Sequence, residues 1–281
     1  MPLDFPVQGF VSALGYQVHP SDVFVATYPK CGTTWMQYIV WLLAQGGRPL
    51  GANERLTDVF PHLEEVGRDF VERLPEPRLI KTHLPFAMTP WHPEARYVYV
   101  ARNPFDCVVS FYHHTRGFVE HYDFADGTFD DYFECFMDGD VDFGGYFDNL
   151  VPWAAHADEG NVLFTTFERM RSDPRAVVLE VARFLGDPFA AADSDPDLAD
   201  RVLEHSSFGR MREDQQRWSS ARPEDAPPFI RRGAVGDWES HISPSQARRL
   251  ATEFSRRTRG SRVADLWPDV LARARELAVG S

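Results

Sequence analysis

The sequence predicts an α/β fold in which a parallel β-sheet carries helices on both faces. Short runs of β-branched and aromatic residues, typical of buried strands, alternate with longer segments whose bulky residues recur at helical spacing. In a parallel sheet of this kind, ligands bind beyond the carboxyl ends of the strands. No internal repeat or low-complexity tract divides the chain, so a single domain over residues 1–281 is expected.

The elements are predicted in the following order. A buried strand at residues 22–28, DVFVATY, precedes a helix at residues 33–45, which two glycines end. The alternation continues with strands predicted at 79–82, 97–101 and 161–166 and with helices at 104–114 and 175–185. Two segments rich in Asp, Pro, Ala and Ser are expected to be surface loops within the same domain, at 187–200 and 219–228.

The composition excludes several classes of protein. The 281 residues include 29 Lys+Arg and 42 Asp+Glu, a formal charge of −13, which argues against a general nucleic-acid binder. No apolar stretch approaches the roughly 20 residues of a membrane span, and the first residues lack the pattern of a secretory signal. Cys31, Cys107 and Cys135 show no metal-binding spacing, so reduced thiols and a cytoplasmic protein are expected.

The basic residues are almost all arginine. Only Lys30 and Lys81 are lysines among the 29 basic residues. A lysine ammonium is compact and flexible, whereas an arginine guanidinium is planar and rigid, so the two residues are not interchangeable at a demanding site. Both lysines follow or end a predicted strand, which marks them as candidate functional residues.

The segment YPKCGTTW, residues 28–35, joins the first predicted strand to the first long helix. Backbone N–H groups at a helix start bind anions, Gly32 allows close approach, and Lys30 adds a positive charge. In a Walker phosphate loop the Lys follows the last Gly, whereas here Lys30 precedes Gly32. No predicted strand ends in the acidic residue of a magnesium-dependent NTPase, so a P-loop kinase or NTPase is the less favoured alternative.

Three further motifs suit phosphate or proton chemistry, and the first two of them lie at strand ends. The second lysine stands in LIKTHLP, where His83 is a candidate general base, because the ordinary pKa of histidine suits proton removal at neutral pH. In the third motif, Arg102 follows a strand and Ser110 lies on the next helix, an arrangement that suits a second phosphate. In the fourth, paired arginines precede a glycine at Arg231, Arg232 and Gly233.

The strings TYPKCGTTW, KTHLPF, ARNPFDCVVSFY and RRGAVGDW resemble those of the cytosolic sulfotransferases, in the same order, between about residues 20 and 245. The resemblance implies a nucleotide-kinase-like, P-loop-like α/β fold and a transferase that uses 3′-phosphoadenosine 5′-phosphosulfate (PAPS), without a metal, and releases 3′-phosphoadenosine 5′-phosphate (PAP). The acceptor would be a small molecule with a hydroxyl or amine, and aromatic residues in loops flanking His83 favour a hydrophobic one.

The resemblance also implies roles for particular residues. His83 would be the catalytic base, Lys30 would move with the bridging oxygen, and Lys81 would help to bind the transferring group. The 5′-phosphosulfate would be held by Lys30, Cys31, Gly32, Thr33, Thr34 and Trp35. The 3′-phosphate would be held by Arg102, Ser110, Arg231, Arg232 and Gly233. The adenine would be framed by Trp35, Ser206 and Phe208.

The chain departs from the family pattern at four places. Arg232 replaces the lysine of R-K-G, and Ser206 replaces the threonine of H-T-S-F. Phe167 lacks the hydroxyl of the family tyrosine and is left out of the predicted site. The family dimer motif, K-x-x-x-T-V-x-x-x-E, would fall on residues 239–248, which read ESHISPSQAR and do not match it. The resemblance therefore does not extend to the family dimer, and a homodimer is left as an open alternative. A non-catalytic or dehydratase-like PAP-binding relative is the other alternative.

A pair of neighbouring histidines, His113 and His114, lies on the helix predicted at 104–114. They have no carboxylate or cysteine at metal-ligand spacing. We therefore expect them to lie on a solvated helix face.

Overall fold

A computed structural model describes residues 5–118, 121–189, 195, 197–219 and 228–279. It contains a four-stranded sheet in the order β2-β1-β3-β4, in which every neighbouring pair is parallel. The strands are β1 (Val23–Thr27), β2 (Leu79–Thr82), β3 (Arg96–Ala101) and β4 (Val162–Thr166). The α/β class with a parallel sheet is therefore confirmed.

Fourteen helices are described around this sheet. They are α1 (Val7–Leu14), α2 (Thr33–Ala44), α3 (Leu56–Val59), α4 (Leu63–Val66), α5 (Arg68–Val71), α6 (Pro104–Gly117), α7 (Phe129–Asp138), α8 (Tyr146–Ala155), α9 (Phe167–Ser172), α10 (Pro174–Leu185), α11 (Leu198–His205), α12 (Phe208–Glu213), α13 (Pro244–Arg257) and α14 (Pro268–Val279). No helix in these ranges is both long and apolar enough to cross a membrane.

The strands are buried on both faces, as continuous apolar strands of a parallel sheet should be. On one face, Phe24 of β1 and Tyr99 of β3 belong to a core that also includes residues of α6, α8, α13 and α14. On the other face, Val25 and Val98 pack in a second core with residues of α2, α10 and α11. The predicted helix layers on both faces are confirmed.

The strand register places the functional segments together. Ala26 pairs with Thr82, Thr27 with Val100, and Ala101 with Thr166, so the four carboxyl ends meet at one edge. All four predicted strands are observed within one residue of their expected ends, and α6 extends three residues beyond the predicted 114. Within the predicted loop at 187–200, α11 begins at 198, so the loop is shorter than expected. Most of the loop predicted at 219–228 lies outside the described residues.

Candidate active site

The loop between β1 and α2 is shaped to approach a ligand closely. Lys30 and Gly32 both have positive φ, 68° and 95°, and the first turn of α2 follows directly. A Cβ on Gly32 would lie 2.8 Å from Cδ2 of Phe167, so a side chain has no room there. The Thr33 hydroxyl lies 2.6 Å from the hydroxyl of Thr27 at the end of β1. The loop therefore presents backbone N–H groups and the dipole of α2 to an anion.

His83 lies directly after β2 and faces the end of β1. Its Nδ1 lies 2.8 Å from the carbonyl oxygen of Thr27 and 3.2 Å from the Thr27 hydroxyl. Because a carbonyl oxygen only accepts hydrogen bonds, Nδ1 carries the proton, and Nε2 of the neutral ring is left as the acceptor. Burial, followed by the positive charge of Lys81, lowers the pKa of His83 well below its ordinary value. The ring is therefore neutral at physiological pH and able to take a proton.

The two lysines of the chain reach the same cavity. Lys30 Nζ lies 3.3 Å from Nδ1 of His114 and 4.6 Å from the ring centre of Phe229. Lys81 donates its backbone N–H to the carbonyl of Pro61 at 2.9 Å. Burial is the main reason that its pKa lies below the ordinary lysine value. The convergence expected from the ends of β1 and β2 is observed.

Arg102, at the end of β3, connects two segments of the site. Its guanidinium donates to the carbonyls of Lys30 and Ala234, each at 3.1 Å, and lies 4.4 Å above the ring centre of Phe167. Its Nε is buried and has no hydrogen-bond partner among the residues that the structure describes. A buried guanidinium N–H of this kind is available to an anionic oxygen.

The paired arginines lie in a loop that two carboxylates hold. Arg231 and Arg232 both form ion pairs with Asp237. Burial opposes ionisation of Asp237, but the hydrogen bond from Arg231 and its charge hold the pKa below the ordinary value. Asp106, near the start of α6, accepts the backbone N–H of Gly236 at 2.9 Å and that of Trp238 at 3.1 Å.

The remaining predicted residues also line the cavity. The Ser206 hydroxyl donates to the carbonyl of Val202 at 2.7 Å and is buried. Gly233 has a φ of 58°, and a Cβ there would lie 2.7 Å from Cδ2 of Phe208. Trp35 packs edge-on to Phe167 with ring centres 5.9 Å apart. The rings of Trp35 and Phe208 and the backbone of Gly233 therefore line the same cavity.

One cavity of about 430 Å³ joins these parts. The predicted residues that line it are Lys30, Gly32, Thr33, Thr34, Trp35, Lys81, His83, Arg102, Ser110, Ser206, Phe208, Arg231, Arg232 and Gly233. The side chain of Cys31 lies instead in the core, with its Sγ 3.9 Å from that of Cys107. A contact between Cys31 and an anion would therefore come from its backbone.

Two features of the site differ from the expectation. Phe167, which was left out of the predicted site, lines the cavity and packs against Trp35. This contact uses its ring and needs no hydroxyl. The solvated face expected for the histidine pair is wrong. His114 lines the cavity beside Lys30, and His113 Nε2 lies 3.2 Å from Nε2 of His241. Burial, followed by the charges of Arg231 and His241, lowers the pKa of His113 to about 4.

Much of the rest of the wall is aromatic. It includes the aromatic rings of Phe5, Phe60, Phe118, Phe143 and Phe229. Phe143 lies 5.1 Å from His83 between ring centres, and Phe5 lies 6.2 Å from Phe143. The side of the cavity next to His83 therefore includes aromatic rings as well as the polar side chains of His62 and Lys81.

Comparison with known proteins gives consistent matches. The family described as "Sulfotransferase domain" matches residues 20–262. The chain is 31% identical to sulfotransferase 1C2 of Rattus norvegicus over 93% of this chain and 91% of that protein. It is 29% identical to sulfotransferase 1B1 of Mus musculus, covering 88% of this chain and 85% of that protein.

Two solved structures share the fold. The first is mouse sulfotransferase SULT7A1 complexed with PAP, with a TM-score of 0.71 at 24% identity, covering 97% of this chain and 94% of that one. The second is retinol dehydratase in complex with androsterone and inactive cofactor PAP, with a TM-score of 0.76 at 20% identity, covering 91% and 87%.

Proposed function

Because the chain belongs to the sulfotransferase domain family, we propose that it transfers the sulfuryl group of PAPS to a hydroxyl or amine of a small hydrophobic acceptor. His83 is the general base of this reaction. The observation that carries the proposal is the environment of His83. Its Nδ1 is held by the Thr27 carbonyl, and the ring lines the same cavity as the anion-binding loop.

The residues around the cavity fit a nucleotide with phosphates at both ends. The loop at Gly32 and the first turn of α2 suit the 5′-phosphosulfate, and the buried Nε of Arg102 offers a donor to the 3′-phosphate. The glycine and aromatic contact at Gly233 and Phe208 suits the same 3′ end. When bound, PAPS supplies a sulfuryl group that is activated by its bond to a phosphate.

The chain's own groups supply the remaining chemistry. Nε2 of His83 removes the proton of the acceptor, and the Thr27 carbonyl stabilises the imidazolium that forms. The ammonium of Lys30 neutralises negative charge that develops on a phosphate oxygen, and the threonine hydroxyls of α2 orient the donor. Electrostatic contributions of this kind are typically worth about 3 kcal/mol each.

The acceptor is proposed to lie against the apolar wall beside His83. Phe143 and Phe5 form one side of this wall, next to the base. Apolar walls with a few polar groups are typical of sites for small hydrophobic ligands. This arrangement supports a hydrophobic alcohol or phenol over a sugar.

We expect PAP to raise the Tm of the protein strongly, and adenosine 5′-phosphate to raise it much less. The extra 3′-phosphate gains charge-assisted hydrogen bonds at Arg102 and Ser110. Ser110→Ala should weaken PAP binding about tenfold, because roughly one charged hydrogen bond is lost. The affinity for adenosine 5′-phosphate should be unchanged.

Ser172→Ala is the matched control, because Ser172 is exposed on α9 and its hydroxyl donates to the carbonyl of Arg169 at 3.4 Å. Equal Tm increases with both nucleotides would contradict the assignment of the 3′-phosphate site. A larger increase with ATP and magnesium would favour the kinase alternative instead.

A further inference from the structure

The loop between α7 and α8 contains a strained residue. Phe143 has a φ of 62°, and Gly144 has a φ of 74°. This left-handed region suits glycine, but it is unfavourable for a bulky residue, because the Cβ crowds the backbone. Among the described residues other than glycine, only Phe143 and Lys30 have a positive φ, and both line the cavity. Strain of this kind persists only where the surrounding structure holds it, and it clusters at functional sites.

The strained backbone places the ring of Phe143 beside the base. The ring centre lies 5.1 Å from that of His83, and the two planes meet at 64°. His62 and Phe5 lie near the same ring, with centres 5.8 Å and 6.2 Å away. The side chain of Phe143 is only partly buried, and it lines the cavity. A hydrophobic acceptor whose hydroxyl reaches Nε2 of His83 would therefore contact the ring of Phe143.

A tyrosine hydroxyl from the donor side of the site holds this turn. Tyr28 Oη donates to the carbonyl of Gly144 at 2.9 Å. Tyr28 directly follows β1, two residues before Lys30, and its side chain is fully buried. On the other side of the turn, Asp142 accepts the hydroxyl of Tyr122. The bond from Tyr28 therefore joins the segment that leads to Lys30 to the left-handed turn.

We propose that Tyr28 is a positioning residue for the acceptor. Its hydroxyl holds the turn at Phe143 and Gly144, and the turn places the Phe143 ring where it orients a hydrophobic acceptor toward His83. The inference rests on the proposed function, since it assumes that the acceptor lies beside His83. Tyr28 belongs to the buried core and does not line the cavity, so it acts through the turn. Removing its hydroxyl should therefore weaken acceptor binding and leave PAP binding unchanged.

The strain is tested by melting temperatures, without any turnover. Phe143→Gly and Phe143→Ala both remove the ring, but only glycine relieves the left-handed backbone. The glycine variant should therefore melt about 2 °C higher than the alanine variant. At the exposed helical residue Ala272 of α14 the order is reversed, and Ala272→Gly should lower the Tm. A Tm of Phe143→Gly at or below that of Phe143→Ala would overturn the proposal, because the turn would then need no hydroxyl to hold it.

The role of the hydroxyl is tested with p-nitrophenol as the acceptor. Tyr28→Phe should raise KM for p-nitrophenol about tenfold, while kcat and the Kd of PAP stay within about threefold of wild type. Tyr97→Phe is the matched control, because Tyr97 is also fully buried and donates its hydroxyl to the carbonyl of Pro90 at 3.0 Å, but does not line the cavity. This control should lower the Tm and leave KM unchanged. An unchanged KM in Tyr28→Phe, or an equal loss of PAP affinity, would overturn the proposal.

A double-variant cycle tests whether the hydroxyl acts through the ring. Phe143→Leu keeps an apolar side chain but loses the ring, and it should also raise KM for p-nitrophenol about tenfold. KM of the double variant Tyr28→Phe/Phe143→Leu should match that of Phe143→Leu alone, and multiplied effects would overturn the proposal. The Kd of p-nitrophenol for the protein saturated with PAP should follow the same order. If the wild-type protein transfers no sulfuryl group, the proposed function fails, and the Kd values together with the Tm comparison still decide the role of Tyr28.

Discussion

Replacing His83 by alanine lowers kcat for sulfuryl transfer by about 10²–10⁴-fold, the contribution typical of general base catalysis. Affinity for PAP is expected to be retained, because the phosphate contacts come from other residues. The Nδ1 bond to Thr27 holds the ring in the tautomer whose Nε2 accepts a proton, and alanine has no such group. The variant is assayed by transfer of labelled sulfate from PAPS and by titration with PAP.

His19→Ala is the control for the loss of a histidine, because His19 is about half exposed and its ring contacts the hydroxyl of Ser21. Its kcat should match that of the wild type. Full activity in His83→Ala would contradict the assignment of His83 as the general base. Loss of PAP binding together with activity would show that the substitution damaged the site as a whole.

The second large effect concerns the lysine of the anion-binding loop. Lys30→Arg should lower kcat about 10- to 100-fold, somewhat less than the complete loss of a transition-state donor. The Lys30 ammonium sits between His114 and the ring of Phe229, on a residue with positive φ. A guanidinium is larger and planar, so it cannot occupy the same position or follow the same oxygen.

Arg232→Lys is the matched exchange in the opposite direction. The Arg232 side chain is 59% exposed, and Asp237, its partner, is also held by Arg231. A lysine at position 232 keeps the positive charge, so kcat and PAP affinity should stay within about threefold. Equal losses of kcat in Lys30→Arg and Arg232→Lys would contradict a special role for the Lys30 ammonium. The small number of lysines would then reflect only the amino-acid composition of the chain.

Local patterns predicted the part of the site that lies at strand ends. β1 is a continuous apolar run, and the loop that contains Lys30 and Gly32 must follow its carboxyl end. His83 likewise follows the carboxyl end of β2, and parallel strands bring their carboxyl ends together at one edge of the sheet. Convergence of both lysines and the histidine on one cavity therefore followed from the strand pattern and the parallel arrangement.

The walls of the cavity could not be predicted in this way. Phe5, Phe60 and Phe143 come from separate segments, and no periodicity relates them. His114 faces the cavity because α6 packs with that side toward the loop containing Phe229, which depends on tertiary contacts. Phe167 was left out of the predicted site because it lacks the hydroxyl of the family tyrosine. Its ring nevertheless contacts Arg102 and Trp35 without that hydroxyl. Packing decided these positions.

The most direct test is product analysis after incubation of the wild-type protein with PAPS and a panel of phenols, sterols, amines and sugars. We predict that a hydrophobic phenol or alcohol gains the mass of one SO₃ group, that one PAP is released for each product, and that His83→Ala forms no product above background. Release of PAP without any sulfated product, or magnesium-dependent turnover of ATP in its place, would contradict the account.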